Sequence, residues 1–349
     1  MKSPTPLSVL PGLALVVAVA WVSRLAHDRL PPATGKLIGE VIFAVVIGLV
    51  IGNVLRIPKF MQPGIRFAFQ TLLRVAIVLL GATFSFSAAL SIGGRALLMV
   101  VVLMTLALLT AHALGRFLHV PPKLATLIGV GTAVCGNTAI TAVAPVIGAK
   151  DEETSFAIAT NTLFGTLAVF AYPVLGHAFS MTDPAFGTWA GTAVNDTSQV
   201  VATGFAYSQA AGKVATVVKL TRNLMMGGVI ILMGLLHAGG GQGTAGSLWQ
   251  RLKQSVPPFV LGFIAMCLLN TFGFVAWASH QISRDLTADA QTAAKFLILA
   301  ALAGVGLGTR LDAMRRIGFR PFWVGFMTAL VTSAASYAMI HIFGPAGGQ

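Results

Sequence analysis

Charge is what this 349-residue chain has least of. Asp, Glu, Lys and Arg together make up 9% of it, where a soluble globular domain carries about 25%. Acids are the rarest, ten against 23 Lys and Arg. Cysteine is nearly absent. Cys135 and Cys267 both lie in apolar runs with no CxxC or His-Cys spacing, which excludes a disulfide framework and a zinc site. The seven histidines form no metal or triad spacing, and no P-loop is present to drive a pump. Without a paired acid and base, a metal set or a nucleophile beside a histidine, the expectation is a protein that is not an enzyme and has no catalytic residues, metal or cofactor. The basic residues fall mostly in short connections, with no phosphate-binding stripe among them, so no nucleic-acid partner is expected.

What the chain has instead is apolar length: 56% hydrophobic residues and a mean hydropathy of +0.84. A helix crosses the hydrocarbon layer with about 20 apolar residues, and the runs here are too long and continuous for the alternating strands of a membrane barrel. Eleven stretches qualify: Leu7 to Ser23, Leu37 to Leu55, Ala68 to Phe86, Ala96 to Leu114, Leu124 to Ile147, Ser155 to Phe179, Phe186 to Ser208, Val214 to His237, Val256 to Trp277, Ala293 to Thr309 and Pro321 to Phe343. The expected fold is therefore all-α, a polytopic membrane protein of 10 to 11 transmembrane helices, with 1–349 forming a single transmembrane domain. The longest polar pieces are the glycine-rich Ala238 to Gly246 and the stretch Ala278 to Thr292. Met1-Lys2, the apolar Leu7 to Val17 and Ala18-Val19-Ala20 have the outline of a signal peptide. A first span that inserts without being removed is the preferred reading, with residues 1–30 an extra first helix.

If all eleven cross, twelve loop Lys and Arg gather on the N-terminal side and eight on the other. Basic loops stay in the cytoplasm, so the N-terminus is expected there. Three cations belong to no loop: Arg74, Lys219 and Arg222 stand inside expected spans.

Two spans have the wrong composition for lipid. Gly129 to Gly148, GVGTAVCGNTAITAVAPVIG, carries four glycines, a proline, three threonines, an asparagine and a cysteine. Glycine costs a helix interior about 1 kcal/mol and proline about 3, and unpaired backbone in lipid costs several more. A broken or re-entrant helix whose freed amides and carbonyls line a cavity accounts for this composition. The break is expected around Gly131 and Gly136, with Asn137 as N-cap of the second half and Thr132, Thr138 and Thr141 as donors. Close helix packing through small residues is the competing reading.

Phe186 to Ser208 has the second insert, Asn195-Asp196-Thr197-Ser198-Gln199. Asp196 is either an intramembrane acid, functional by default, or the N-cap of a short surface helix. Lys219 and Arg222 share a helix face, and a buried cation needs a partner. Asp196 or an anionic substrate could be that partner; snorkelling to the interface is the alternative, as it is for Arg74. Asp151-Glu152-Glu153 are expected to be a solvated cluster on the helix dipole. The first insert echoes the second: Gly131-Thr132-Ala133-Val134 recurs as Gly191-Thr192-Ala193-Val194. Residues 124–148 and 186–208 are thus expected as paired broken-helix elements of an internal repeat.

At GTAVCGNTAITAVAPVIGAKDEE, NTLFGTLAVFAYP, GTAVNDTSQVVATG and VVKLTRN the chain resembles the YeiH-like family of bacterial inner-membrane proteins, described as conserved hypothetical proteins or sulfate-exporter candidates. The resemblance runs from about Gly35 onward and implies a distant likeness to bile-acid-symporter-type transporters, with two inverted five-helix repeats and crossed broken helices. The function expected is secondary transport of a small anion, sulfate or a sulfonate-related acid. Thr132, Gly136, Asn137, Thr138, Thr197, Ser198 and Gln199 would surround the substrate, Lys219 and Arg222 would supply charge, and Asp196 would couple H⁺ or Na⁺. The partners expected are the small anionic substrate, the lipid bilayer and that coupling ion, with a homodimer left open. A Na⁺- or H⁺-coupled organic-acid importer and a non-transporting membrane protein are the alternatives.

Overall fold

In hydrocarbon every backbone N–H and C=O must be satisfied within the protein, and a helix does this locally. The computed structural model describes residues 6–29, 40–55, 57–236, 257–309 and 318–346, and these are helical with no strand among them. The helices are α1 (Pro6–Asp28), α2 (Glu40–Val54), α3 (Lys59–Gly81), α4 (Phe86–Phe117), α5 (Pro122–Ala133), α6 (Asn137–Val143), α7 (Asp151–Ala178), α8 (Asp183–Ala193), α9 (Thr197–Tyr207), α10 (Gln209–Leu224), α11 (Met226–Leu236), α12 (Pro258–Thr271), α13 (Phe274–Ile282), α14 (Leu286–Gly308) and α15 (Phe319–Phe343).

Seven are long and apolar enough to cross a membrane: α1 from Ser8, α3, α4, α7, α10 with α11, α14 and α15. The other four expected stretches each depart from a plain span. α2 has 15 residues. α12 and α13 are bent by 71° where Gly273 adopts φ 75°, a left-handed conformation that glycine tolerates without a Cβ clash. The two polar stretches split into α5–α6 and α8–α9. The expected polar piece Ala278 to Thr292 is mostly helix: α13 runs on to Ile282, and Asp285 starts α14 by accepting from Thr287 N and Ala288 N, each at 3.0 Å. Asp151, Glu152 and Glu153 form the first turn of α7, with Lys150 N donating to Glu153 Oε2 at 2.8 Å.

The glycine-rich Ala238 to Gly246, Lys2, Lys36, Arg56, Arg251, Lys253, Arg310, Arg315 and Arg316 lie outside the described residues, as do the start of the second expected stretch and residues 1–5 of the signal-like outline.

The chain forms two compact units. One contains α1–α3 and α12–α14. Its core is Val16, Val19, Ala44, Ile65, Ala303 and Leu307 with their neighbours, and α2 meets α14 so closely that a Cβ at Gly48 would lie 2.6 Å from Ala303 O. Asn53 Nδ2 donates to Thr309 O at 2.8 Å across that pair.

The other contains α4 from Ser91, α5–α8, α9 to Gly204, α10, α11 and α15. Its core joins Val100, Ala107, Leu127, Ile140, Val218 and Met226. α8 packs on α10 through Gly187 and Gly191, where a Cβ would lie 2.6 Å from Ala211 O and 2.7 Å from Val218 Cβ respectively. All the residues expected at the site lie in this second unit.

Candidate functional site

The first break follows from two backbone positions. α5 ends at Ala133, Val134 leaves helical geometry at φ −114°, ψ −98°, and Gly136 takes φ 68°, ψ −127° before α6 restarts at Asn137. Only glycine adopts that last conformation without strain. It also has no room for a side chain: a Cβ at Gly136 would lie 2.8 Å from Asn161 Nδ2 and 3.1 Å from Asp196 Cα. The two breaks therefore touch.

The second break is built by its own carboxylate. α8 ends at Ala193, Val194 turns extended at φ −78°, ψ 140°, and α9 begins at Thr197. Asp196 Oδ1 accepts from Ser198 N at 2.9 Å and Ser198 Oγ at 2.5 Å, while Asp196 O accepts from Val200 N at 2.9 Å. Asp196 is the N-cap of α9, but that helix is not at the surface: Val200, Val201 and Ala202 are fully buried.

A helix C-terminus exposes up to four carbonyls without intrahelical partners, each costing about 1–3 kcal/mol if buried unpaired. Lys219 and Arg222, from α10, meet this need. Lys219 Nζ donates to Val134 O (2.8 Å), Val194 O (3.2 Å) and Asn195 O. Arg222 donates through Nε to Ala133 O (2.6 Å) and through Nη1 to Thr192 O (2.8 Å) and Val194 O (3.1 Å). The relative exposures are 0% and 2%. Both cations reach the ends of α5 and α8 together, where the helix dipoles carry partial negative charge.

α7 supplies an amide layer on the other side of Gly136. Asn161 Nδ2 donates to Asn137 Oδ1 at 3.0 Å and Asn137 Nδ2 to Thr162 Oγ1 at 3.1 Å. Gln199 Nε2 donates to Thr162 O (3.2 Å) and Thr166 Oγ1 (3.3 Å), lying over Gly165, where a Cβ would come within 1.8 Å of its Oε1. Asn223 Nδ2 donates to Thr197 Oγ1 at 3.3 Å. The oxygens Asn161 Oδ1, Asn195 Oδ1, Gln199 Oε1 and Asn223 Oδ1 are buried without a hydrogen-bond partner. Beside the second break lies a cavity of about 260 Å³, lined mainly by apolar side chains such as Phe164, Leu167 and Phe326 and also by Asn195 and Tyr172.

Residues 11–325 match the family described as Conserved hypothetical protein 698. The chain belongs to this family. It is 32% identical over 338 residues to a UPF0324 membrane protein of Clostridium tetani, covering 93% of this chain and 95% of that one. It is 33% identical over 340 residues to a UPF0324 membrane protein of Streptococcus agalactiae, covering 96% and 98%. It is 31% identical over 343 residues to one from Nitratidesulfovibrio vulgaris, covering 96% and 93%.

For this family member the structure revises several local expectations. Gly131 is not at the break; it lies in α5, where a Cβ would meet Ile140 Cδ1 at 2.7 Å. Asn137 is not the N-cap of α6, a position Gly136 holds without a side-chain bond; its amide turns to Asn161 and Thr162 instead. Lys219 does not snorkel, and backbone carbonyls rather than Asp196 surround both cations. Arg74 is exposed on α3. Thr132 is buried in the last turn of α5 and Thr138 is exposed. The remaining expected residues, Gly136, Asn137, Asp196, Thr197, Ser198, Gln199, Lys219 and Arg222, form one connected group. Sequence reasoning missed Asn161, Thr162 and Thr166. The signal was an asparagine four residues before a glycine, Asn161 and Gly165, inside an otherwise apolar span.

Proposed function

We propose that this membrane protein is a secondary transporter that moves a small anion, sulfate or a sulfonate-related acid, outward by alternating access in a bacterial inner membrane. One observation carries the reading: the touching breaks hold two fully buried cations and one carboxylate. Lys219 and Arg222 bond the C-terminal ends of α5 and α8, and their two positive charges stand against the single carboxylate of Asp196, which caps the start of α9, so the group carries one positive charge in excess. A charge moved into such a site without compensation costs tens of kcal/mol in the Born limit; the buried positive excess lowers that cost for an anion and raises it for a cation. In this reading Asn137, Thr138 and Thr197 donate to the substrate, Ser198 and Gln199 join them once their bonds to Asp196, Thr162 and Thr166 open, Thr132 and Gly136 shape the break, and Asp196 takes or releases the coupling ion.

Broken helices fit this task because a half-helix pair presents backbone groups to a substrate while the rest of the span stays satisfied. The test is flux of radiolabelled sulfate and sulfonates in reconstituted vesicles. Wild type should transport, and correctly inserted Asn137→Ala and Arg222→Ala should lose at least about tenfold, the cost of one charge-assisted hydrogen bond. Flux equal to wild type in both variants defeats the proposal.

The second reading, a Na⁺- or H⁺-coupled importer of an organic acid, rests on the unpaired oxygens of Asn161, Gln199 and Asn223, which are acceptors suited to a cation. Imposing a sodium or a pH gradient across the same vesicles separates the two.

A further inference from the structure

The oxygens around Lys219 have the chemistry of a site for a free monovalent cation. Val134 O, Val194 O and Asn195 O come from two different broken helices and converge on one point, where Nζ sits fully buried. Main-chain carbonyls around a desolvated cation are also how a potassium filter replaces the hydration shell of its ion. Three acceptors match the three protons of an ammonium; a neutral amine would direct its lone pair at one of the oxygens. Arg222 Nη1 shares Val194 O and bonds Thr192 O and, through Nε, Ala133 O from the flank, so the cage is walled by a second fixed charge.

We infer that the crossing of the two breaks is a monovalent-cation site permanently occupied by the protein's own Lys219 ammonium, so that the wild-type protein needs no free cation there and a Lys219-truncated protein binds Na⁺ or a small alkylammonium in its place. The inference deepens the transport reading: it assigns Lys219 as a tethered cation that holds the breaks together, a positioning residue for the anion site.

The test uses the full chain purified in detergent. Thermal unfolding of wild type, Lys219→Ala and Lys219→Gln is followed against sodium, potassium, ammonium and methylammonium chlorides, with choline chloride keeping ionic strength and chloride constant. Wild type should show no difference between cations. Lys219→Ala should unfold at lower temperature in choline and recover saturably, by about 5 °C, in sodium or methylammonium, as expected when a ligand binds the folded state alone. Lys219→Gln, which keeps donors near the oxygens, should recover less. The inference is overturned if Lys219→Ala gains nothing over choline, if wild type gains as much as the variant, or if both variants aggregate in every cation alike. These readouts do not depend on flux. Failure here leaves the anion reading standing, and absence of anion flux in wild type would leave the cage intact.

Discussion

Gly136 concentrates the demands of the site in a residue with no side chain. Its φ of 68° with ψ −127° belongs to a region that costs another residue about 1–3 kcal/mol, and a Cβ would press on Asn161 Nδ2 and Asp196 Cα. Gly136→Ala should therefore destabilise the folded protein by at least that amount and reduce flux, seen as a lower unfolding temperature in detergent and slower vesicle transport. An unchanged unfolding temperature would show that the break relaxes freely. Arg222→Lys tests a different property, the planar fork. Lysine keeps the charge but carries its donors on a single nitrogen, so it cannot put separate donors on Ala133 O and on the Thr192 and Val194 carbonyls as Nε and Nη1 do. Each lost charge-assisted bond is worth about 1.5–3 kcal/mol, so Arg222→Lys should unfold earlier than wild type although its net charge is the same. The residue types at these positions were legible from composition, because polar groups are conspicuous in an apolar chain. Their partners were not. A cation in sequence suggests a carboxylate or an anion, whereas here the nearest negative ends are main-chain carbonyls, which no residue letter marks.

At the scale of elements, the echo between Gly131-Thr132-Ala133-Val134 and Gly191-Thr192-Ala193-Val194 has a structural meaning. In each, the alanine is the last helical residue and the valine the C-cap, and carbonyls from each end are held by the same two side chains. The first glycine of each echo serves packing. Gly131 admits Ile140 from α6, and Gly191 lets α8 lie against Val218 and Ala215 of α10, which sets the reach of Lys219 and Arg222. That distinction between a glycine that packs and a glycine that turns depends on neighbours far apart in sequence, so the break could be anticipated at Gly136 while Gly131 was wrongly counted into it. Gly191→Val should push α8 from α10, weaken the bonds from Arg222 to Thr192 O and Val194 O, and lower both yield of folded protein and unfolding temperature. Gly228→Ala is the matched control: it lies in α11 with nothing within 4 Å of an added Cβ, and replacing a helical glycine with alanine stabilises by about 0.5–1 kcal/mol. The pair is read by thermal unfolding. Equal effects from the two substitutions would remove the packing argument.

For the whole molecule, the apolar stretches foretold the helices because solvent, rather than detailed packing, decides where a membrane helix begins and ends. Each of the eleven corresponds to one helix or one interrupted pair. Orientation is carried by a different signal, the bias of twelve loop cations to eight; if α5–α6 and α8–α9 each return to the face they enter from, Lys150 alone changes side, the bias becomes thirteen to seven, and the positive-inside rule gives the same orientation. Lys123 Nζ, in the first turn of α5, donates to Gly148 O, just before α7, at 2.6 Å, so α5 and α6 enter and leave by one face and the connection before α7 lies on the same side as the start of α5. Glu152, exposed in the first turn of α7, is the place to ask. Cys135 and Cys267 are both buried, Cys135 with its thiol 3.5 Å from Met226 Sδ, so a surface thiol can be distinguished from them. In a Cys135→Ala, Cys267→Ala background, and with the N-terminus inside as the basic bias predicts, Glu152→Cys and Lys123→Cys, at the start of α5, should both react with a membrane-impermeant thiol reagent only after permeabilisation. Reaction of both in intact cells would place the N-terminus outside. Reaction of the two from opposite sides would mean that α5 and α6 together cross the membrane, moving the two half-helix ends to a different depth from the one a re-entrant pair gives.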